Sequence, residues 1–133
     1  LDEAAATLEP AGRANPQDTG VLHLWGDILT AAGRFPEAEE AYLLAAQAVP
    51  TAGNWNKLGA ALLARGELDK AEIALRQAEA ADPQAADPQF YLGRLFAQRG
   101  ESEAARAALA RYLELAPDGP WAGDARALLE GLE

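Results

Sequence analysis

Few side chains in this sequence could carry out covalent or metal-dependent chemistry. Cysteine is absent, which excludes disulfides, thiolate nucleophiles and cysteine-ligated zinc or iron–sulfur sites. His23 is the single histidine and Ser102 the single serine, and they lie far apart in the chain. A serine–histidine–acid triad would need both to meet, and no second histidine could share a metal ion. The sequence therefore predicts no catalytic, metal-binding or cofactor-binding residue, and a protein that is not an enzyme.

Charge and hydropathy exclude two further classes of function. The formal net charge is −10, from 11 basic and 21 acidic residues. Binding to nucleic acid or to an anionic membrane requires a basic face, and no apolar run approaches the ~18 residues of a membrane span. We therefore expect no nucleic-acid partner, no direct membrane insertion and no cofactor.

Glycine, alanine and proline recur at a long and constant spacing. Gly26, Gly59 and Gly93 are separated by 33 and 34 residues. The same two separations relate a second glycine, an alanine and a proline: Gly33, Gly66 and Gly100; Ala38, Ala71 and Ala105; Pro50, Pro83 and Pro117. The first glycine and the alanine allow two helices to approach closely, the second glycine can end a helix in the left-handed conformation, and the proline stops the next helix. Periods of this length indicate a solenoid of helical hairpins.

The middle repeat identifies the type of solenoid. It reads Trp55-x-x-Leu58-Gly59-x-x-Leu62, then Gly66, Ala71-x-x-x-Leu75, Ala78 and Pro83. This pattern resembles the tetratricopeptide repeat (TPR) family, whose pattern is W-x2-L-G-x2-Y, then A-x3-F, then P. The first repeat matches at Leu22, Trp25, Gly26, Leu29, Gly33, Ala38, Tyr42, Ala45 and Pro50. The third departs from it twice, with Gln89 where a bulky residue is expected and Tyr112 where a small one is expected.

The resemblance implies one all-α domain, a right-handed TPR superhelix of antiparallel helix hairpins with a C-terminal capping helix. Residues 1–18 are predicted to be the second helix of a truncated repeat, 19–51, 52–85 and 86–119 three repeats, and 120–133 the cap. Helices are expected at 2–14, 19–32, 36–48, 52–65, 68–81, 88–99, 102–115 and 120–132. We expect a kink or frayed start at Pro10, Asp118 as the N-cap of the last helix with Pro120 near its first position, and a natural domain that extends upstream.

The resemblance also implies a non-enzymatic scaffold that binds a partner peptide or helix in a concave groove lined by the first helix of each hairpin. Helical phase assigns to this groove His23, Asp27 and Thr30, then Asn56, Lys57, Ala60 and Leu63, and finally Asp87, Phe90, Tyr91, Arg94 and Gln98. Phe90 is either an exposed ligand anchor or part of the core. From the net charge we expect an extended and somewhat basic partner.

One TPR subfamily holds the C-terminal carboxylate of chaperones with a clamp of lysine, arginine and asparagine. The matching positions here are His23, Asp27, Lys57, Asp87 and Tyr91. Only Lys57 could grip a carboxylate and two acidic groups would repel it, so we expect no recognition of chaperone tails.

Two alternatives to the binding scaffold stay open. The chain could be a self-assembling structural module that forms a homo-oligomer through Leu1, Ala4 and Leu8 at its N-terminal edge, or the regulatory domain of a longer protein. The excess of arginine over lysine and the alanine content favour a bacterial source, while the compartment stays open between cytoplasm and periplasm.

Overall fold

The computed structural model describes residues 1–132, and these residues form eight α-helices and no strand. The helices are α1 (Asp2–Ala14), α2 (Thr19–Ala31), α3 (Phe35–Ala48), α4 (Ala52–Ala64), α5 (Leu68–Ala81), α6 (Asp87–Gln98), α7 (Ser102–Leu115) and α8 (Ala122–Gly131). Glu133, the last residue of the predicted cap, lies outside the described residues. Within residues 1–132, no helix is both long and apolar enough to cross a bilayer.

Local signals in the sequence account for where the helices begin and end. Gly33, Gly66 and Gly100 have φ angles of +77°, +76° and +76°, in the left-handed region that glycine enters without steric cost. Each of these residues follows a first helix, as predicted. At the helix starts, the side chain of Asp18 accepts a hydrogen bond from the amide of Val21, and Thr51 caps α4 in the same way.

The helices alternate between two layers of one stack. Ion pairs join neighbouring odd-numbered helices: Arg13 with Glu40 between α1 and α3, and Lys70 with Glu39 between α3 and α5. A third ion pair joins the even-numbered helices α2 and α4. The even-numbered layer therefore contains the first helix of each hairpin, the face to which the groove residues were assigned.

Close packing within each hairpin depends on the repeated glycines. A Cβ atom added at Gly59 would lie 2.6 Å from Cγ of Leu75, and one added at Gly26 would lie 2.5 Å from Cε1 of Tyr42. Both distances are far below van der Waals contact, so any larger residue would force the two helices of the hairpin apart. The repeated alanines Ala38, Ala71 and Ala105, on the second helix of each hairpin, are also buried, and each is at most 3% exposed.

The C-terminal cap differs from the prediction in where its helix begins. The helix α8 starts at Ala122, with Trp121 as its N-cap residue, so the assignment of Asp118 as N-cap is wrong, and Pro120 lies two residues before the first helical position. The amide of Trp121 donates to the hydroxyl of Tyr112 at 3.0 Å. That hydrogen bond holds the chain in a turn past Pro120 and delays the helix.

The bulky Tyr112 of α7, which departs from the repeat pattern, packs against the cap. Its side chain is fully buried in a second hydrophobic cluster, whose other buried members are Phe90, Leu109, Ala122 and Ala125. Most of the other buried apolar side chains form one continuous cluster from α1 to α7.

At the N-terminal end, α1 runs from Asp2 to Ala14 through Pro10, so the frayed start predicted there is wrong. Proline removes the hydrogen bond to the carbonyl of Ala6. Both residues are exposed, so water can satisfy that carbonyl and the helix continues.

Two alanine substitutions on α4 test the close contact. Gly59→Ala meets the buried Leu75, and overpacking of this kind costs about 1–3 kcal/mol. In Gly53→Ala, the new Cβ meets only the Thr51 hydroxyl, at 4.0 Å, so this variant gains helix propensity without a clash. Because the propensity gain is common to both, we expect Gly59→Ala to be less stable than Gly53→Ala by about 1–3 kcal/mol in urea denaturation. Equal stability would show that the contact can relax.

Candidate partner-binding groove

The structure places most of the predicted groove residues at the surface of the even-numbered layer. His23, Asn56, Lys57 and Tyr91 are half-buried, while Asp27, Arg94 and Gln98 are exposed. Thr30, Ala60 and Asp87 also reach the surface. Leu63 does not, because it is 3% exposed and belongs to the core, so its assignment to the groove is wrong.

A polar cluster joins the first two repeats at the groove. The Tyr42 hydroxyl donates to Oδ1 of Asp27 at 2.5 Å, and Nζ of Lys57 lies 3.1 Å from the same carboxylate oxygen. Nζ of Lys57 also lies 5.7 Å from the centre of the Tyr42 ring, within the range of a cation–π contact. The hydroxyl of Thr30 completes the cluster, 3.5 Å from that of Tyr42. One carboxylate therefore organises side chains from α2, α3 and α4.

Tyr42 is the member of this cluster that the sequence named only as a match to the repeat pattern and not as a groove residue. The ring is 3% exposed and passes over Gly26 to reach Asp27. Its pKa is raised, first by burial and then by its hydrogen bond to the Asp27 carboxylate. One feature of the sequence could have indicated this role: Tyr42 carries a hydroxyl, whereas the equivalent residues in the other repeats are Leu75 and Leu109. A buried hydroxyl needs a hydrogen-bond partner.

The pairing of Lys57 with Asp27 agrees with the expectation that chaperone tails are not recognised. The one cation at a clamp position already has a carboxylate partner. Asp87 and Asp27 add negative charge to the same face.

Two polar atoms of this region are buried without a hydrogen-bond partner within residues 1–132. They are Nε2 of His23 and Oδ1 of Asn56, which occupy equivalent positions on α2 and α4. The pKa of His23 is lowered, first by burial, then by the positive charge of Lys57, while the charge of Asp27 opposes both. Near neutral pH the ring is therefore uncharged, which reduces the cost of leaving a ring nitrogen unpaired.

A cavity of about 590 Å³ opens between α6 and α8. We call it the α6–α8 cavity; its lining residues are Phe90, Arg94, Ala97, Trp121, Asp124, Ala127, Leu128, Gly131 and Leu132. The Phe90 ring stacks on Trp121 with centroids 5.3 Å apart and an angle of 9° between the planes. Phe90 is only 3% exposed, so the alternative that it is an exposed anchor is wrong: the cap covers it, and it forms part of the cavity wall.

A second cavity, of about 430 Å³, opens beside the polar cluster. It is lined by Tyr42 and Lys57, by a set of alanines on α3 and α4, and by Phe35 and Arg65. The Arg65 guanidinium lies 3.6 Å from the centre of the Phe35 ring. Both cavities thus combine apolar walls with a small number of polar groups, the usual composition of a ligand-binding site.

The described residues contain no group of three histidine, cysteine or acidic side chains placed to hold a metal ion. The groove offers carboxylates at Asp27 and Asp87, amide groups at Asn56 and Gln98, and two cavities.

Comparisons with known proteins found a family model and solved structures that match this chain. The family model described as tetratricopeptide repeat matches residues 1–53 and 56–120. No curated protein sequence gives a significant match.

Solved structures with low sequence identity share this fold. One is the type III secretion chaperone SycD of Yersinia enterocolitica in complex with a peptide of the translocator YopD (19% identity, TM-score 0.75, 84% of this chain and 88% of that one). Another is PcrH in complex with the chaperone binding region of PopD (21% identity, TM-score 0.73, 84% of this chain and 87% of that one). A third is the TPR domain of Arabidopsis OM64 (18% identity, TM-score 0.76, 90% of this chain and 97% of that one). At these identities the likeness concerns the fold, an all-α solenoid of helix hairpins.

The single histidine allows a direct test of the polar cluster. We expect the NMR titration midpoint of His23 to lie below 6.5, the usual value. Lys57→Gln should raise the midpoint because it removes a positive charge, and Asp27→Asn should lower it further.

The same shift has a consequence for stability. Because the folded state resists protonation of His23, its contribution to stability is full above pH 6.5 and is lost as the pH falls through the lower folded pKa. An unshifted midpoint in the native protein, or an Asp27→Asn midpoint above the native one, would contradict the geometry of the cluster.

Proposed function

The chain belongs to the tetratricopeptide repeat family, and we propose that it serves as a non-enzymatic scaffold that holds a segment of a partner protein in the groove of its even-numbered helices. The observation that carries this proposal is a pair of open cavities, one between α6 and α8 and the other where α3 and α4 meet beside Thr30 of α2. Each cavity has apolar walls and a few polar groups.

The inventory of side chains agrees with binding rather than catalysis. The groove has one histidine, and the hydrogen bonds around it join Asp27, Tyr42 and Lys57 into a set whose members satisfy one another. A catalytic base would need a nucleophile or a substrate proton within hydrogen-bond reach. The sequence contains no cysteine, and its one serine, Ser102, lies on α7, outside the groove layer.

The structural neighbours support a protein partner. SycD and PcrH were solved with a peptide of YopD and with a region of PopD, and each shares this fold over most of its length. Only about one residue in five is identical between those proteins and this chain. That this chain also binds a partner protein is therefore our proposal.

Site-specific photo-crosslinking tests the groove as the binding surface. A photoreactive amino acid is placed at Ala60 or Gln98 in the groove and, as controls, at the exposed Gln77 or Ala110 of the odd-numbered layer. In cells of the source organism, we expect one partner to be captured from both groove positions and from neither control.

The captured segment then allows an affinity measurement on the purified proteins. Asn56→Ala combined with Arg94→Gln should weaken binding by about tenfold or more, equivalent to about 1.4 kcal/mol, whereas Gln77→Ala should leave it within about twofold. Capture from the control positions alone, or an unchanged affinity in the groove variant, would overturn the proposal.

Self-association is the second candidate function, because apolar side chains are exposed at the N-terminal end of the stack. Leu1 is 66% exposed and Leu24, on α2, is 50% exposed. Ala4 is also exposed, while Leu8 packs against the core. Of the residues expected at this edge, Leu1 and Ala4 are therefore exposed and Leu8 is not, and we add Leu24 to the proposed surface.

Sedimentation at high micromolar concentration tests this candidate. Self-association through the N-terminal edge predicts a dimer that Leu24→Gln converts to a monomer. The matched control is Ile73→Gln on α5, since Ile73 is 66% exposed and lies away from this edge. A native protein that sediments as a monomer would exclude the candidate for this chain.

A further inference from the structure

The pairing of positive charges sets two arginines apart from the rest. Of the 11 lysine and arginine side chains, all but four lie within 4.0 Å of a carboxylate in residues 1–132. Arg106 and Arg126 instead donate to backbone carbonyls. Arg65 and Arg94 do neither, and each lies over an aromatic ring in the wall of one of the two cavities.

Arg94 lies next to two aromatic rings. Its guanidinium carbon lies 5.9 Å from the centre of the Phe90 ring and 6.0 Å from that of Tyr91. A cation–π contact restrains the guanidinium but uses its faces, which leaves the N–H groups at the edge available to an acceptor. A carboxylate is the partner that matches this fork of donors best.

The walls of the α6–α8 cavity fit a bulky apolar side chain. Phe90 and Trp121 form a stacked floor, and Leu128 and Leu132 line one side. Small residues, Ala97, Ala127 and Gly131, complete the lining, so a partner backbone can approach both helices closely. Arg94 and Asp124 are the charged residues at its edge, and they make no ion pair with each other within residues 1–132.

We propose that the α6–α8 cavity binds a bulky apolar side chain of a partner segment, and that Arg94 binds a carboxylate next to that side chain. This inference rests on the proposed function and names the chemistry of one subsite within it. The segment carries one acidic group there rather than an acidic run, because Asp124 and the net charge of −10 repel further negative charge. The local geometry thus favours a different partner from the somewhat basic one that the net charge suggests.

A second copy of this chain is a poorer occupant. Two molecules of charge −10 repel each other, and the exposed leucines Leu1 and Leu24 lie at the other end of the stack.

Three small probes of one shape test the cavity without a known partner. They are 3-phenylpropionate, its neutral amide and the cationic 3-phenylpropylamine, each titrated into the full chain. The readout is the indole N–H signal of Trp121 in nitrogen–proton correlation spectra, assigned with Trp121→Phe. We expect the carboxylate to bind at least about threefold more tightly than the amide and the amine to bind most weakly.

Matched variants assign that preference to Arg94. In Arg94→Gln, carboxylate and amide should bind equally, whereas Asp124→Asn should tighten carboxylate binding by about two- to threefold because it removes a repulsive charge. The control Arg111→Gln removes an exposed cation on α7 and should change nothing. Arg94 and Asp124 are exposed, so neither substitution disturbs the core, and far-ultraviolet circular dichroism checks the fold.

Several outcomes would overturn the assignment. They are tighter binding of the amine, a preference for the carboxylate that survives in Arg94→Gln, and probes that leave the Trp121 signal unmoved. A Trp121 signal that shifts with protein concentration alone would make a second copy the occupant. If the probes do not bind but the groove positions still crosslink to a partner, only this subsite is contradicted. If crosslinking occurs only at the odd-numbered layer, the proposed function is contradicted even when the probes bind.

Discussion

The close approach of the two helices in each hairpin is the constraint on which the rest of this structure depends. At Gly26, Gly59 and Gly93 the opposing side chain lies where a Cβ atom would be, at 2.5–2.6 Å. A larger residue at any of these positions would separate the two helices of its hairpin and disturb the buried cluster that runs from α1 to α7.

Three residues that differ from the equivalent residues of the other repeats make contacts that those residues do not make. Tyr42 takes the place of a leucine, and its hydroxyl carries the hairpin contact through to Asp27 in the groove. In the third repeat, Gln89 replaces a bulky residue and its buried amide donates to Glu79 at 2.6 Å. Tyr112 replaces a small residue and anchors the cap through the amide of Trp121. A uniform repeat builds the scaffold, and these substitutions give each interface its own chemistry.

Much of the fold could be predicted from the sequence, because glycine, alanine and proline at a fixed period are local signals with local causes. Helical phase also predicted which side chains of the first helices reach the surface, except at Leu63 and Phe90, which packing against neighbouring helices buries. What could not be predicted depends on contacts between distant residues. Phe90 has the phase of a groove residue, but Trp121, far along the chain, stacks on it. The ion pair of Lys57, and the lack of a carboxylate partner for Arg94 within residues 1–132, likewise depend on the three-dimensional arrangement.

The aromatic stack at the cap has a further consequence for how the stack of helices comes apart. In a repeat protein each unit contacts only its neighbours, so unfolding can begin at either end and spread. Trp25 sits against α1 at the N-terminal end, where Arg13 lies over its ring; Trp55 packs at the middle interface, and Trp121 closes the C-terminal cluster. The three tryptophans thus act as built-in fluorescent reporters of three successive interfaces. Emission from single-tryptophan variants would reveal from which end the molecule opens.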